Sequence, residues 1–124
     1  MIKVVAAILR DSDKILIARK AKGKPLEGFW EFPGGKIEFG ETPEESLVRE
    51  LMEEMDIKVK VNEYIGESIY DYGNGKVISL LGYSAEIVEG DIKLTDHDRY
   101  EWVTLEEINK YDIAPADIPL IEKL

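Results

Sequence analysis

Two apolar runs open the chain, residues 3–9 and 14–18, on either side of the polar turn Asp11-Ser12-Asp13. Runs of this length bounded by turn residues read as strands. Residues 20–28 hold Lys, Gly and Pro without periodicity and read as a loop. A short strand over 30–32 leads into Pro33-Gly34-Gly35. The period then changes. From about residue 43 to 55 the apolar residues Leu47, Val48, Leu51 and Met55 recur at helical spacing and form a stripe expected to face a core. Thr42 is placed to cap this helix, Pro43 takes the first helical position, and Glu45 completes a capping box. Residues 59–72 alternate loosely and read as strand, turning at Gly73-Asn74-Gly75 into a second strand over 76–88. Glu89-Gly90-Asp91 breaks the chain again, and 100–103 reads as a last short strand. Thr104 with Glu107 forms a second capping box opening a short helix, and a third short helix is expected after Pro119. There is no internal repeat and no linker. Strands around two or more helices predict an α/β or α+β fold.

The polar side of the first helix carries the most specific chemistry. Glu50, Glu53 and Glu54 stand at i, i+3 and i+4 and fall within about 100° of one another around the helix axis. Like charges at this spacing oppose folding by roughly 0.2–0.5 kcal/mol per pair. A helix that gathers them is therefore expected to gather them for a cation. A solvated acidic helix is the plainer reading of three glutamates alone. The face borders the apolar stripe, with Glu54 nearest Leu47, so the carboxylates sit at the edge of the buried side. Arg49 is spaced to pair with both Glu45 and Glu53, which would fix the acidic side chains. Oxygen ligands at a site that keeps several waters suit Mg²⁺, with Mn²⁺ as a substitute.

Composition narrows the classes. A chain of 124 residues is expected to form one domain, 1–124, with a single core. It has no Cys, which excludes a disulfide framework, a thiolate zinc site and a cysteine nucleophile. The opening apolar run is too short for a membrane span and lacks a cleavage pattern, so a cytoplasmic protein without membrane contact is expected. A net charge of −10 argues against nucleic acid polymers as partners. A nucleoside triphosphate would also be repelled unless divalent cations screened it, although acidity equally serves solubility.

Residues 35–57 match the Nudix box, Gly-x5-Glu-x7-Arg-Glu-U-x-Glu-Glu-x-Gly-U with U a bulky apolar residue. The matches are Gly35, Glu41, Arg49, Glu50, Leu51, Glu53, Glu54 and Ile57. One position departs: Asp56 stands where the family has glycine, and Asp tolerates the left-handed conformation that a helix C-cap needs. Glu31-Phe32-Pro33-Gly34-Gly35 also resembles the MutT-like branch of the family. The segment Ala114 through Leu120 resembles members that hydrolyse CTP. With Val4-Val5-Ala6-Ala7-Ile8 at the start, the likeness covers nearly the whole chain.

The resemblance implies a mixed β-sheet between helices and a metal-dependent polyphosphate hydrolase. It implies that the Gly34 carbonyl is a metal ligand beside Glu50 and Glu54, where an ordinary tight turn is the alternative. Glu53 would be a ligand or would orient a bound water. Glu41 lies off the helix face, either supporting the helix N-terminus or orienting a ligand. Asp96 aligns with a loop carboxylate that is a glutamate elsewhere in the family, a metal ligand or base; an Asx-turn is the alternative. His97, the only histidine, reads as a surface loop residue. Lys20 stands where the family has a phosphate-binding arginine, or is a solvated strand end. Trp30 and Phe32 straddle Glu31, one of them expected in the core; Phe32 matches a base-contacting aromatic. Asp117 matches an Asn that reads oxidised guanine. It could accept from the cytosine amino group, accept from guanine N–H groups, or be a turn residue between Pro115 and Pro119.

The expected activity is hydrolysis of a nucleoside triphosphate to monophosphate and pyrophosphate, with two cations activating water and neutralising the leaving phosphate. CTP and other pyrimidine nucleotides compete with oxidised dGTP as substrates. The protein would act in pool house-cleaning as monomer or homodimer. A nucleotide-binding module without catalysis is the alternative of another class, and such modules usually lose a box carboxylate, whereas all of them are kept here.

Overall fold

The computed structural model describes residues 1–124. Strand β1 (Ile2–Asp11) lies at the centre of a mixed seven-stranded sheet. It runs parallel to β6 (Val77–Glu89) along one edge, from Ile2↔Ile78 to Leu9↔Ala85. Its other edge is shared. The far end pairs with β2 (Lys14–Lys20) through Arg10↔Ile15 and Asp11↔Lys14. The near half pairs with β4 (Gly34–Lys36) through Val4↔Lys36 to Ala6↔Gly34. Two strands therefore diverge from one edge of β1, and the cavity described below opens where they part. β3 (Trp30–Glu31) and β7 (His97–Val103) both flank β2, while β5 (Lys58–Asp71) closes the far side against β6.

Alternation in β1 divides the core in two. Val5, Ala7 and Leu9 point to one face and pack with Leu47, Leu51 and Met55 of helix α1 (Pro43–Met55). Ala6 and Ile8 point to the other, beside Trp30, Phe32, Ile108 and Leu120. That second face is covered by a 3-10 turn (Glu107–Lys110) and the one-turn helix α2 (Ile118–Ile121). The sheet thus lies between helices, as the family likeness implies.

The α1 capping box forms with both reciprocal bonds, and the helix ends on Asp56 at φ 56°, in the left-handed conformation. The apolar stripe is shifted from the expected one. Leu47, Leu51 and Met55 are fully buried, but Val48 is exposed and Ser46 is buried in its stead. β4 packs against the Ser46 side, where the hydroxyl donates to the Lys36 carbonyl at 3.3 Å. This contact rolls the helix so that Val48 faces solvent. Two further expectations change in detail. β7 begins at His97, not near residue 100, because Lys20 pairs with His97 across a bulge. The Thr104–Glu107 capping box makes both of its bonds, but the segment it opens is 3-10. No helix is long and apolar enough to cross a membrane.

Candidate active site

The cavity where β2 and β4 part is walled by β1 and β4, by Lys20, Glu31 and Phe32, and by Glu54, Leu80 and Asp117 from more distant elements. Gly34 and Gly35 do not form the tight turn that was the alternative reading. They are extended residues of β4, and what they supply is closeness. A Cβ on Gly34 would collide with the Val5 carbonyl, and one on Gly35 would occupy the place of the Glu50 carboxylate. The missing side chains let β4 lie against β1 and let α1 bring Glu50 down onto the strand.

Arg49 organises the box. Its Nε and Nη2 donate to the two oxygens of Glu41 at 2.7 and 2.9 Å, its Nη1 to Glu50 at 2.9 Å and Glu53 at 3.2 Å, and its Nη2 also to the Lys36 carbonyl at 3.1 Å. All five guanidinium donors are committed. The expected Glu53 pair forms. The expected Glu45 pair does not, because Glu45 is held by the capping box. Glu41, placed between two roles by the sequence, is the bidentate partner of Arg49, and that bond holds its pKa down to about 2. Fixed this way, Arg49 orients Glu50 from one side while Gly35 leaves room on the other.

Glu54 and Asp96 behave as a complementary pair. Glu54 is mostly buried, and one carboxylate oxygen has no hydrogen-bond partner. Burial, then the charges of Asp96, Glu50 and Glu31, push its pKa up to about 9. Burial also acts against ionisation of Asp96. That effect is outweighed by the neighbouring Glu54 carboxyl, by Lys24 (Nζ at 3.4 Å) and by Lys20, so Asp96 lies below the usual carboxylate range. Glu50 is raised by burial against the pull of Arg49. Glu53 is more exposed than the other two box glutamates and faces Arg49. Buried hard oxygen donors, one of them orphaned, beside a carboxylate kept ionised, fit a divalent cation bound through oxygen. Of these carboxylates, Glu50 and Glu54 could hold such an ion, with Glu53 and Asp96 nearby.

The far wall takes the remaining candidates. Phe32 and Trp30 are both buried, and Phe32 also faces the cavity. Lys20 lies at the cavity with its Nζ 3.9 Å from Glu31. Asp117 is buried, yet its side chain does not cap α2. Instead its Oδ2 accepts from the Phe32 backbone N–H at 2.9 Å. Asp117 also closes a turn, its N–H donating to the Ala114 carbonyl at 2.9 Å. Burial and the charge of Glu31 raise the Asp117 pKa well above the usual range against the stabilising Phe32 N–H. Such a group can hold a proton and present a donor as well as an acceptor.

Two site residues were missed by sequence reasoning. Glu31 faces the cavity; its signal was a charge held between two buried aromatics. His97, read as a surface residue, has no side-chain exposure and meets Glu31 at 2.9 Å. A lone charged loop carried no sign of that burial.

A family model described as NUDIX domain matches residues 2–124. The chain is 39% identical to the CTP pyrophosphohydrolase of Escherichia coli (strain K12), over 98% of this chain and 90% of that protein. It is 36% identical to the 8-oxo-dGTP diphosphatase of the same organism, over 97% and 92%. Among solved structures it resembles the solution structure of the E. coli ORF135 protein, with a TM-score of 0.85 at 38% identity over 99% of this chain and 87% of the other.

Proposed function

The chain belongs to the Nudix family, and on that premise we propose that it hydrolyses CTP and related pyrimidine nucleoside triphosphates, or oxidised ones, to monophosphate and pyrophosphate. As a Nudix hydrolase it uses divalent cations; the oxygen donors favour Mg²⁺, with Mn²⁺ as a substitute. Glu50 and Glu54 would hold the cation with the Gly34 carbonyl, and Glu53 would bind it or orient the attacking water. Bound there, the cation supplies Lewis-acid polarisation and charge neutralisation on the phosphates. The protein's own part is orientation. Arg49 holds Glu50 and Glu53 in place, and Lys20 meets a phosphate. Glu53 or Asp96 takes the proton of the attacking water. The water oxygen bonds to an internal phosphorus, the phosphoanhydride P–O bond breaks, and pyrophosphate leaves. The net charge of −10 favours free nucleotides over a nucleic acid polymer as substrate, and cytoplasmic action as monomer or homodimer is part of the proposal.

The observation that carries this reading is the buried, orphaned Glu54 carboxylate beside Asp96 in a cavity whose other end is Phe32 and Asp117. Ionising that carboxyl is costly unless a cation meets it, which the hydrolytic reading supplies. Oxidised guanine nucleotides are the second substrate class. A relative at 36% identity is named for 8-oxo-dGTP, and a buried Asp117 carboxyl suits either base edge.

Pyrophosphate release from CTP, dCTP, UTP, dGTP and 8-oxo-dGTP, with and without Mg²⁺, tests the proposal. Cation-dependent release is expected, and ¹⁸O-water should label one product; orthophosphate as first product would refute the reaction assignment. Asp117→Ala should weaken preferred nucleotides by about 1–3 kcal/mol and flatten the ranking. An unchanged ranking would return Asp117 to a purely structural role.

A further inference from the structure

His97 is the only histidine, and the reaction proposed above gives it no task. Its ring is closed off from solvent, which for a polar group is justified only by hydrogen bonds. It makes one. Nε2 lies 2.9 Å from Glu31 Oε2, while Nδ1 is buried without a partner. A carboxylate accepts, so the Nε2 of this pair is the donor. A proton on Nδ1 would be a buried donor with nothing to receive it, and the surroundings therefore select the Nε2–H tautomer.

Glu31 needs such a partner. It belongs to a strand of only two residues and borders the cavity between Lys20 and Phe32. Lys20 reaches the same oxygen, Oε2, at 3.9 Å. Both contacts fall on Oε2, so neither engages Oε1 of this cavity-lining residue. His97 is itself well anchored. It pairs with Lys20 across the β2–β7 bulge, and the carbonyl of the preceding Asp96 accepts from Ala21 N–H at 3.1 Å. One ring thus ties the Asp96 loop to the Glu31 wall.

We propose that His97 is a positioning residue for substrate selection: as the Nε2–H tautomer it locks Glu31 so that the second carboxylate oxygen can meet the bound nucleotide beside Asp117. The inference rests on the nucleotide reading above. It assigns the reaction's selectivity in part to a residue that touches no substrate.

The test uses two variants and one spectrum. In His97→Leu, Glu31 loses its donor and can swing. KM for the preferred nucleotide should rise roughly tenfold, the scale of one lost hydrogen bond to a charged group, with a smaller change in kcat and a flatter ranking among nucleotides. His97→Gln returns a donor to the Glu31 side and should restore the ranking in large part. Equal effects of Leu and Gln on all nucleotides would overturn the proposal. Because a buried substitution can compromise folding, the wild-type protein is also read directly. With one histidine, a ¹⁵N–¹H correlation of the ring is unambiguous, and it should show the Nε2–H tautomer with slow exchange, changing in Glu31→Gln. An Nδ1–H tautomer, or a ring indifferent to Glu31→Gln, would equally overturn it. A wild-type protein that cleaves no nucleoside triphosphate would defeat the functional reading instead, while the spectrum would still decide whether His97 locks Glu31.

Discussion

At the scale of single residues, the site is built by pairing charges so that a few are left unpaired on purpose. Arg49 satisfies Glu41 fully and Glu50 and Glu53 in part, while Glu54 is left with an orphaned oxygen. The Glu41–Arg49 bond has a measurable acid signature. Its folded pKa of about 2 lies below the ordinary 4.5, so the bond's contribution is present above the ordinary value and is lost as pH falls toward 2. Glu41→Gln should therefore be less stable than wild type at neutral pH by an amount that holds down to about pH 5 and shrinks below it. Chemical denaturation across that range checks it, and a gap that does not narrow in acid would show that the bond is not the cause. The three-glutamate face was legible in sequence because helical spacing alone puts side chains on one side. The choice of partner for Arg49 was not. Spacing offered Glu45 and Glu53, but the capping box had already claimed Glu45, and Glu41 arrives from a loop whose path periodicity does not describe. The burial of His97 was hidden for the same reason, since it depends on a pairing across two distant strands.

At the scale of elements, β4 is the piece on which the site turns. Three residues, Gly34–Lys36, run along β1 and pass beneath α1, and two glycines make both approaches possible. The two glycines should respond differently to the same change. In Gly34→Ala the new methyl meets the Val5 backbone, which cannot move without breaking the sheet, and stability should fall by about 1–3 kcal/mol, toward the upper end. In Gly35→Ala it meets the end of the Glu50 side chain, which can swing away. That variant should fold nearly normally yet lose most of its activity, because Glu50 is displaced from the proposed cation site. Thermal melting and pyrophosphate release, measured side by side, separate the two; a Gly35→Ala enzyme of wild-type activity would remove Glu50 from the cation-binding set. The existence and type of the main elements were legible. Bounded apolar runs and one loosely alternating stretch marked the long strands, the cap, the proline and the stripe marked α1, and β4, whose glycines read as a turn, was not legible. What pattern did not convey was the roll of that helix. Val48 fits the apolar stripe as well as Leu47 does, and only the contact of Ser46 with β4 turns it outward.

At the scale of the whole molecule, a net charge of −10 and a cavity rich in carboxylates make cations a part of the folded state's energy. Sequence disclosed the sign of this charge but not the divergence of β2 and β4 from one edge of β1, which concentrates the charge at one place. Monovalent salt screens exposed charges over about a Debye length and should raise stability modestly in every variant. A divalent ion that binds the folded site adds a further gain through mass action, about 2.7 kcal/mol at a hundredfold excess over its Kd, which for a domain of this size means a rise on the order of ten degrees in Tm. Mg²⁺ at ionic strength matched with NaCl should therefore stabilise the wild-type protein beyond the salt alone. Glu54→Gln keeps the shape of the side chain and removes a carboxyl that is costly to ionise in its buried setting. Without Mg²⁺ it should be as stable as wild type or more so. With Mg²⁺ it should gain only what NaCl gives, and its turnover should fall by orders of magnitude. A Glu54→Gln protein that keeps both the Mg²⁺-specific rise in Tm and near-normal turnover would place the cation elsewhere. One that loses the rise but keeps turnover would separate stabilisation from catalysis and leave Glu50, Glu53 and Asp96 to carry the reaction.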